Sequence, residues 1–487
     1  MTADLSLLAK YNKEIPRYTS YPTVPFWADH LAYEPYLSAL CGQITGANKK
    51  EGIALYIHLP FCDTLCTYCG CNKIITANHE AVEDVYIDAL LKEWSLYNDL
   101  LGSPAIIREM HLGGGTPTYF SGKNLARLLS GILGKTTIHP EFEGSIEGHP
   151  NNTMREHLAV LRNFGFKRIS YDVQDHNPHV QRLIHRVQPL ENVMKVTKWA
   201  RAFGFSSVNY DLIYGLPGQT IKSITTTIKE TIALQPDRIA FYSYAHVPWK
   251  AKGQRLFNES DLPSAGEKLL FYQLARKLFL SAGYRDIGMD HFALPQDNLY
   301  KAFVNRGLHR NFMGYTVAHS KCMIGLGVSS ISDIQVAYAQ NTKSLAGYYN
   351  SLKQGVLPIQ KGIFLDALDQ AFRTYILDIA CNRKTRLTTA HFDLLPESTL
   401  LDIQQMVSDG LIEQNGPEIK VLKKGLSFLR NSCHLFDLKG RSTAAGFKHP
   451  DGQDKTGDFL NPVPRASADN KNNNELRTAC PTYTTSV

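Results

Sequence analysis

A chain of 487 residues, 43% apolar and 20% charged, can bury one large core, and no run approaches the roughly 20 consecutive apolar residues of a membrane span. The net charge of +7 comes from 52 basic and 45 acidic residues without a long cationic run, so it argues against a nucleic-acid binder and at most favours acidic ligands. Five of the nine cysteines are scattered and the N-terminus lacks the apolar stretch of a secretory signal, which points to a reducing, cytoplasmic setting.

Segment 1–50 carries the run Pro16-Arg17-Tyr18-Thr19-Ser20-Tyr21-Pro22. From residue 51 to 285, short apolar runs alternate with segments of helical period. Strands are predicted at 54–59, 107–112, 142–147, 168–173, 207–213 and 238–244. The helical segment 81–100 places Val82, Val85, Tyr86, Ala89, Leu90 and Trp94 on one stripe, with Glu83, Asp84 and Lys92 on the other side. Segments 192–203 and 221–234 read similarly. Six strand-then-helix repeats imply an α/β protein with a parallel sheet, either doubly wound or rolled into a full or partial barrel. In each architecture the loops at the C-terminal strand ends form the site. Beyond Gly283 the alternation fades, and 286–440 is expected to be a mainly helical region. The stretch 441–487, rich in Asp, Asn, Lys, Gly, Pro, Thr and Ser, is expected to be disordered.

The chemistry concentrates on that strand-end rim. Cys62, Cys66, Cys69 and Cys71 lie within ten residues, directly after the first strand. As thiolates they would repel one another unless a cation or an iron-sulfur cluster neutralised them. A structural zinc site usually draws on two separated ligand pairs, and no second pair follows; the spacing of a two-cluster ferredoxin is also missing. Gly113-Gly114-Gly115-Thr116-Pro117 follows the second strand, where glycines let the backbone approach a ligand; the pattern of a phosphate-binding loop is not there. Glu147, Gln174, Arg186 and Asp211 would share one cavity if their strands are parallel neighbours. Singly, each is more often a cap or surface residue; collectively, their strand-end positions favour a site.

C-x3-C-x2-C after a strand resembles the cluster loop of radical S-adenosylmethionine (SAM) enzymes, and GGTP resembles their SAM amino-group motif. The runs PRYTSYPT (16–23), CGCNK (69–73), HLGGGTPTY (111–119), VQDHN (173–177), DLIYGLPGQT (211–220), YAHVP (244–248), GMDHFALP (288–295) and LHRNFMGYT (308–316) are similar, in order, to the oxygen-independent coproporphyrinogen III oxidase family. The resemblance spans about residues 10–436. It implies a partial (β/α)6 barrel of the radical SAM type with a helical C-terminal domain, and a [4Fe-4S] cluster on Cys62, Cys66 and Cys69 with one iron left open for SAM. Cys71 is then a non-ligand that assists catalysis; otherwise it is a small buried side chain.

Two SAM molecules are implied, the first at Tyr56, Gly114, Glu147 and Ile331, the second at Tyr68, Gly115, Thr116, Gln174, Arg186, Asp211 and Ala245. The implied substrate is coproporphyrinogen III, with two propionates decarboxylated to vinyl groups to give protoporphyrinogen IX. Arg17 and Arg310 are candidate carboxylate partners, since guanidinium forks match that group. An electron donor such as flavodoxin or ferredoxin is implied, the acceptor is not named by the sequence, and a monomer is expected. Tyr68, Gly148, His149, Tyr171, Asp172 and His176 depart from the family's usual residues. The competing readings are a haem chaperone of the same superfamily and a radical SAM enzyme acting on another tetrapyrrole; Cys71, Asn72, Lys73 and Arg17 favour the oxidase over the chaperone.

Overall fold

The computed structural model describes residues 5–444, apart from 14, 48, 250, 318 and 319. Six strands form the centre of the sheet: β1 (Ile53–Leu59), β2 (Ile106–Gly114), β3 (Thr137–Gly148), β4 (Phe166–Gln174), β5 (Ser207–Tyr214) and β6 (Arg238–Ser243). Between and after them run α1 (His79–Leu101), α2 (Gly122–Leu133), α3 (Arg155–Asn163), α4 (Leu190–Ala202), α5 (Ile221–Leu234) and α6 (Ala265–Ser281). Each strand pairs in parallel with the next. A doubly wound sheet would reverse its strand order at a switch point; this one runs monotonically from β1 to β6. With crossovers of one hand, that order lays the helices on one face, as in a barrel-type fold.

Helix ends follow local chemistry. Asn78 and Ser121 accept the amides of Ala81 and Asn124 and so start α1 and α2, Thr220 caps α5, and Ser264 with Glu267 forms the capping box of α6. The α1 stripe differs from the expectation at two positions. Val85 is 52% exposed, whereas Glu83 is buried, because its carboxylate accepts from Ser121 N, Ser121 Oγ and Asn124 Nδ2. That carboxylate is buried as a helix-to-helix clasp on the start of α2, which apolar periodicity cannot show.

The C-terminal region is helical as expected and also returns strands to the sheet. After β7 (Arg285–Gly288) and β8 (His291–Ala293) come β9 (Met323–Leu326), β10 (Ile331–Asp333), β11 (Ala337–Asn341) and β12 (Ile359–Phe364). β9 pairs in parallel with β1, giving the order β12-β11-β10-β9-β1-β2-β3-β4-β5-β6-β8-β7. Beyond these strands, α7 (Leu345–Lys353) packs beside α1, while α8 (Ala367–Asn382) and α9 (Glu397–Ser408) build a second apolar core. Leu7, Ile15, Tyr18 and Tyr21 of the N-terminal segment belong to that second core. Within the stretch 441–487, residues up to Ala444 continue the helix Leu438–Ala444; the expectation for the rest lies outside the described residues.

Candidate active site

The cysteine loop leaves the C-terminal end of β1 and is held from both sides. Thr67 donates its amide to Ile184 O at 3.0 Å and its hydroxyl to Leu183 O at 3.3 Å. Tyr68 O accepts from Gln254 Nε2 at 2.9 Å, and Lys73 Nζ folds back onto Cys69 O at 2.9 Å. The four cysteines are free thiols, and all four line one cavity of about 800 Å³. Its wall also contains Tyr68, Gly114, Gly115, Thr116, Gln174, Arg186 and Asp211. Most of the residues expected at the site from sequence therefore converge there.

The glycines at the end of β2 and directly after it are required by backbone angle and by close approach. Gly114 has φ +119°, which side chains rarely adopt, and a Cβ at Gly115 would stand 2.5 Å from Pro60 O. Gly114 N donates to Glu147 Oε2 at 3.0 Å, and Glu147 Oε1 faces His111 Nε2 at 2.9 Å. Glu147 thus lies beside the large cavity, on a smaller one of about 70 Å³ that it shares with His111, Asp211, Tyr242 and His291. Tyr56 is next to it, its hydroxyl 3.1 Å from His58 Nδ1. Ile331 and Ala245 are not on the wall of the large cavity. Ile331 packs with Val24, Trp27, Tyr338 and Leu365, and Ala245 O accepts from Gln254 Nε2.

Electrostatics mark the floor. Burial pushes Asp211 up to about 7, against the hydrogen bonds its carboxylate accepts from Ser170 and Asn209. Asp172, one strand over, is also raised, by burial and by Asp211 and Glu147, although Arg186 opposes this. Arg186 donates to Asp172 O at 2.6 Å and to Cys66 Sγ at 3.5 Å. Gln174 holds a left-handed φ of +62° and keeps a buried Oε1 without a partner, aimed at no protein donor. Burial raises Cys62 to about 12 and also raises Cys66, whereas the hydrogen bond with Cys71, reinforced by Lys73, holds Cys69 down at about 6.

These residues fit an iron-sulfur cluster. Among the described residues, no three Cys, His, Asp or Glu side chains converge closely enough to hold a single ion. Three thiols spread around a common cavity, with Thr116 Oγ1 donating to Cys62 Sγ at 3.3 Å, instead suit a group with several metal corners. Gly114, Gly115 and the orphaned Gln174 leave room and polar capacity beside it.

Arg17 and Arg310 are not on the cavity wall. They lie behind Tyr242, whose ring borders the cavity and stands 4.9 Å from the Arg17 guanidinium. Arg310 Nη2 donates to Arg17 O, while Arg17 Nη1 and Arg310 Nε and Nη1 are buried without partners. Sequence reasoning gave no site role to Tyr242, His58, His111, His291 and Arg182. Histidine and tyrosine in apolar strands carry no motif signal; His149 and Asp172 stand out in sequence only as departures from the usual family residues.

The sequence profile described as "Radical SAM superfamily" matches residues 56–231. The oxygen-independent coproporphyrinogen III oxidase of Synechocystis sp. is 38% identical over 443 residues, covering 88% of this chain and 94% of the relative. The enzyme of the same name from Escherichia coli is 38% identical over 449 residues, with 91% and 96% covered. The solved structure of coproporphyrinogen III oxidase from Escherichia coli, described as a radical SAM enzyme, superposes with a TM-score of 0.81 at 37% identity, covering 89% of this chain and 98% of that one.

Proposed function

Since this chain belongs to the oxygen-independent coproporphyrinogen III oxidase family of radical SAM enzymes, we propose that it converts two propionates of coproporphyrinogen III to vinyl groups at the cysteine-lined cavity, making protoporphyrinogen IX for haem biosynthesis. The family implies a [4Fe-4S] cluster and SAM. When bound, they supply the electron and the adenosyl group from which a hydrogen-abstracting radical is generated.

The observation that carries this reading is the placement of Cys62, Cys66 and Cys69 around one cavity with the Gly114-Gly115-Thr116 strand end and the Gln174, Arg186 and Asp211 side chains. The three cysteines hold the cluster and Cys71 stays off the iron. Glu147, fixed by His111 and Gly114 N, and Asp211 offer carboxylates for the cationic groups of SAM. Two SAM molecules would divide the residues that the family resemblance implies, Tyr56, Gly114 and Glu147 serving the first and Tyr68, Gly115, Thr116, Gln174, Arg186 and Asp211 the second, while Ile331 and Ala245, implied for the first and the second, stand off the wall of the large cavity.

Arg17 and Arg310 grip substrate carboxylates. Their three buried, unpartnered nitrogens are the main orphaned cationic donors near Tyr242, and a carboxylate would satisfy them at an energetic gain. Hydrogen is abstracted from the propionate β-carbon, and the side chain then loses carbon dioxide and gives one electron to an external one-electron acceptor, leaving the vinyl group. An anaerobic assay of cluster-loaded protein with SAM, reductant and coproporphyrinogen III tests the reading: mass spectrometry should show the divinyl product. Stoichiometric haem binding without a vinyl product would establish the chaperone reading, and turnover of a different porphyrinogen would establish the other.

A further inference from the structure

The two segments that grip the cysteine loop also carry the most exposed large apolar side chains among the described residues. Among the described residues the three large hydrophobics with greatest exposure are Trp249 at 64%, Val187 at 61% and Leu256 at 59%. Val187 follows the Leu183 and Ile184 carbonyls that hold Thr67. Trp249 and Leu256 flank the turn Lys252–Arg255, where a Cβ at Gly253 would lie 3.2 Å from Thr67 O and where Gln254 reaches Tyr68 O. Beneath both segments is one apolar cluster containing Val180, Ile184 and Tyr244, with Tyr68 and Phe257 against it. Single exposed hydrophobics are ordinary, but the three most exposed among the described residues all lie on the two segments that hold one loop, which marks a contact surface.

Basic side chains outnumber the acids around them, Glu259 and Asp261 being the acids that follow the turn. Lys252 and Arg255 are exposed and have no carboxylate partner among the described residues; Arg255 Nε donates only to Pro248 O at 2.9 Å. Arg182 and His185 are exposed at the near edge of the cavity. Glu259, a nearby acid along the chain, faces His246 at 3.3 Å. Trp249, Lys252, Arg255 and Leu256 are not part of the cavity wall, so they are not placed to line the path of a substrate within it. Between them, Gly253 and Gln254 touch the backbone of Thr67 and Tyr68, one residue from the proposed ligands on either side.

We propose that this aromatic and cationic patch is the docking surface for an acidic one-electron carrier protein, which delivers its electron to the cysteine-held cluster through the Thr67-Tyr68 backbone. The inference rests on the radical SAM reading above. In the transfer the carrier is oxidised by one electron and the cluster reduced by one, with no bond made or broken and no proton moved. Aromatic and arginine side chains supply contact area, and cations steer an acidic partner and make its association salt-dependent.

The test is binding of oxidised flavodoxin to the full chain by titration calorimetry, at low and at raised salt, for wild type, Trp249→Ala and the double variant Lys252→Glu with Arg255→Glu. Expected is about a tenfold or greater rise in Kd for each variant, with a smaller salt dependence in the charge-reversed one. SAM cleavage should fall with reduced flavodoxin as donor and stay at the wild-type rate with dithionite. Carrier binding within twofold of wild type in both variants would overturn the proposal. So would a rise in KM for coproporphyrinogen III with carrier binding intact, which would assign the patch to substrate entry. Equal losses with dithionite would reduce the turn to a brace for the cysteine loop. A wild-type protein that cleaves no SAM with dithionite would sink the underlying reading instead, and the binding measurement separates that case.

Discussion

Asp211 joins the two cavities of the site, and its titration is a direct report on what binds there. Burial raises it from 3.8 to about 7, so the folded protein keeps a proton that the unfolded chain gives up. Between about pH 4 and pH 7 this carboxyl therefore lowers stability as pH rises, and the effect levels off above. A cationic ligand beside it favours the anion, so SAM binding near pH 7 should release a proton. Calorimetry in two buffers of different ionisation enthalpy measures this; the release should be lost in Asp211→Asn, and a wild type that releases none contradicts the assignment. The sequence made Asp211 legible because it closes an apolar strand and opens a distinctive run. It could not announce Tyr242 or His291, since an aromatic side chain in a strand reads as core until neighbouring strands place it against a cavity.

At the scale of elements, the link between α1 and the returning strands depends on one buried carboxylate. Glu93 accepts from Gly327 N, Asn341 Nδ2 and Tyr348 OH, all at 2.7 Å, and so ties α1 to the end of β9, to β11 and to α7. Glu93→Ala strands three donors in a dry interior and should cost roughly 3 kcal/mol in chemical denaturation. A loss below about 1 kcal/mol would mean that the helix is held by apolar packing alone. The six central strands and α5 were readable from apolar runs, because each is long enough to show its period. β9 and β10 were not: they have four and three residues and are buried throughout, so no alternation betrays them. Glu83 and Glu93 defeat the helical stripe for the same reason, being polar residues buried by partners distant in sequence.

At the scale of the whole molecule, the N-terminal segment joins the sheet to the C-terminal region. Arg17 Nη2 donates to Ser243 O at the end of β6, and the next residue turns the other way: Tyr18 OH donates to Asp437 Oδ2 at 2.9 Å and lies 2.7 Å from His434 Nδ1. Tyr18→Phe should lower stability by about 1–3 kcal/mol, because the buried Asp437 Oδ2 loses its hydroxyl donor while Oδ1 keeps Gly440 N, leaving cluster absorption intact. Equal stability would show that the segment is held by its apolar side chains alone. On the proposed reading this architecture serves a loop in which three thiols would hold the cluster and a fourth would stand aside. The most direct test is anaerobic Mössbauer and electron paramagnetic resonance spectroscopy of reconstituted wild type, Cys66→Ala and Cys71→Ala, with and without SAM. The account predicts a four-iron cluster in wild type and Cys71→Ala, one iron site of which shifts when SAM is added, and loss of that cluster in Cys66→Ala. Loss of the cluster in Cys71→Ala, or a wild-type cluster indifferent to SAM, would contradict it.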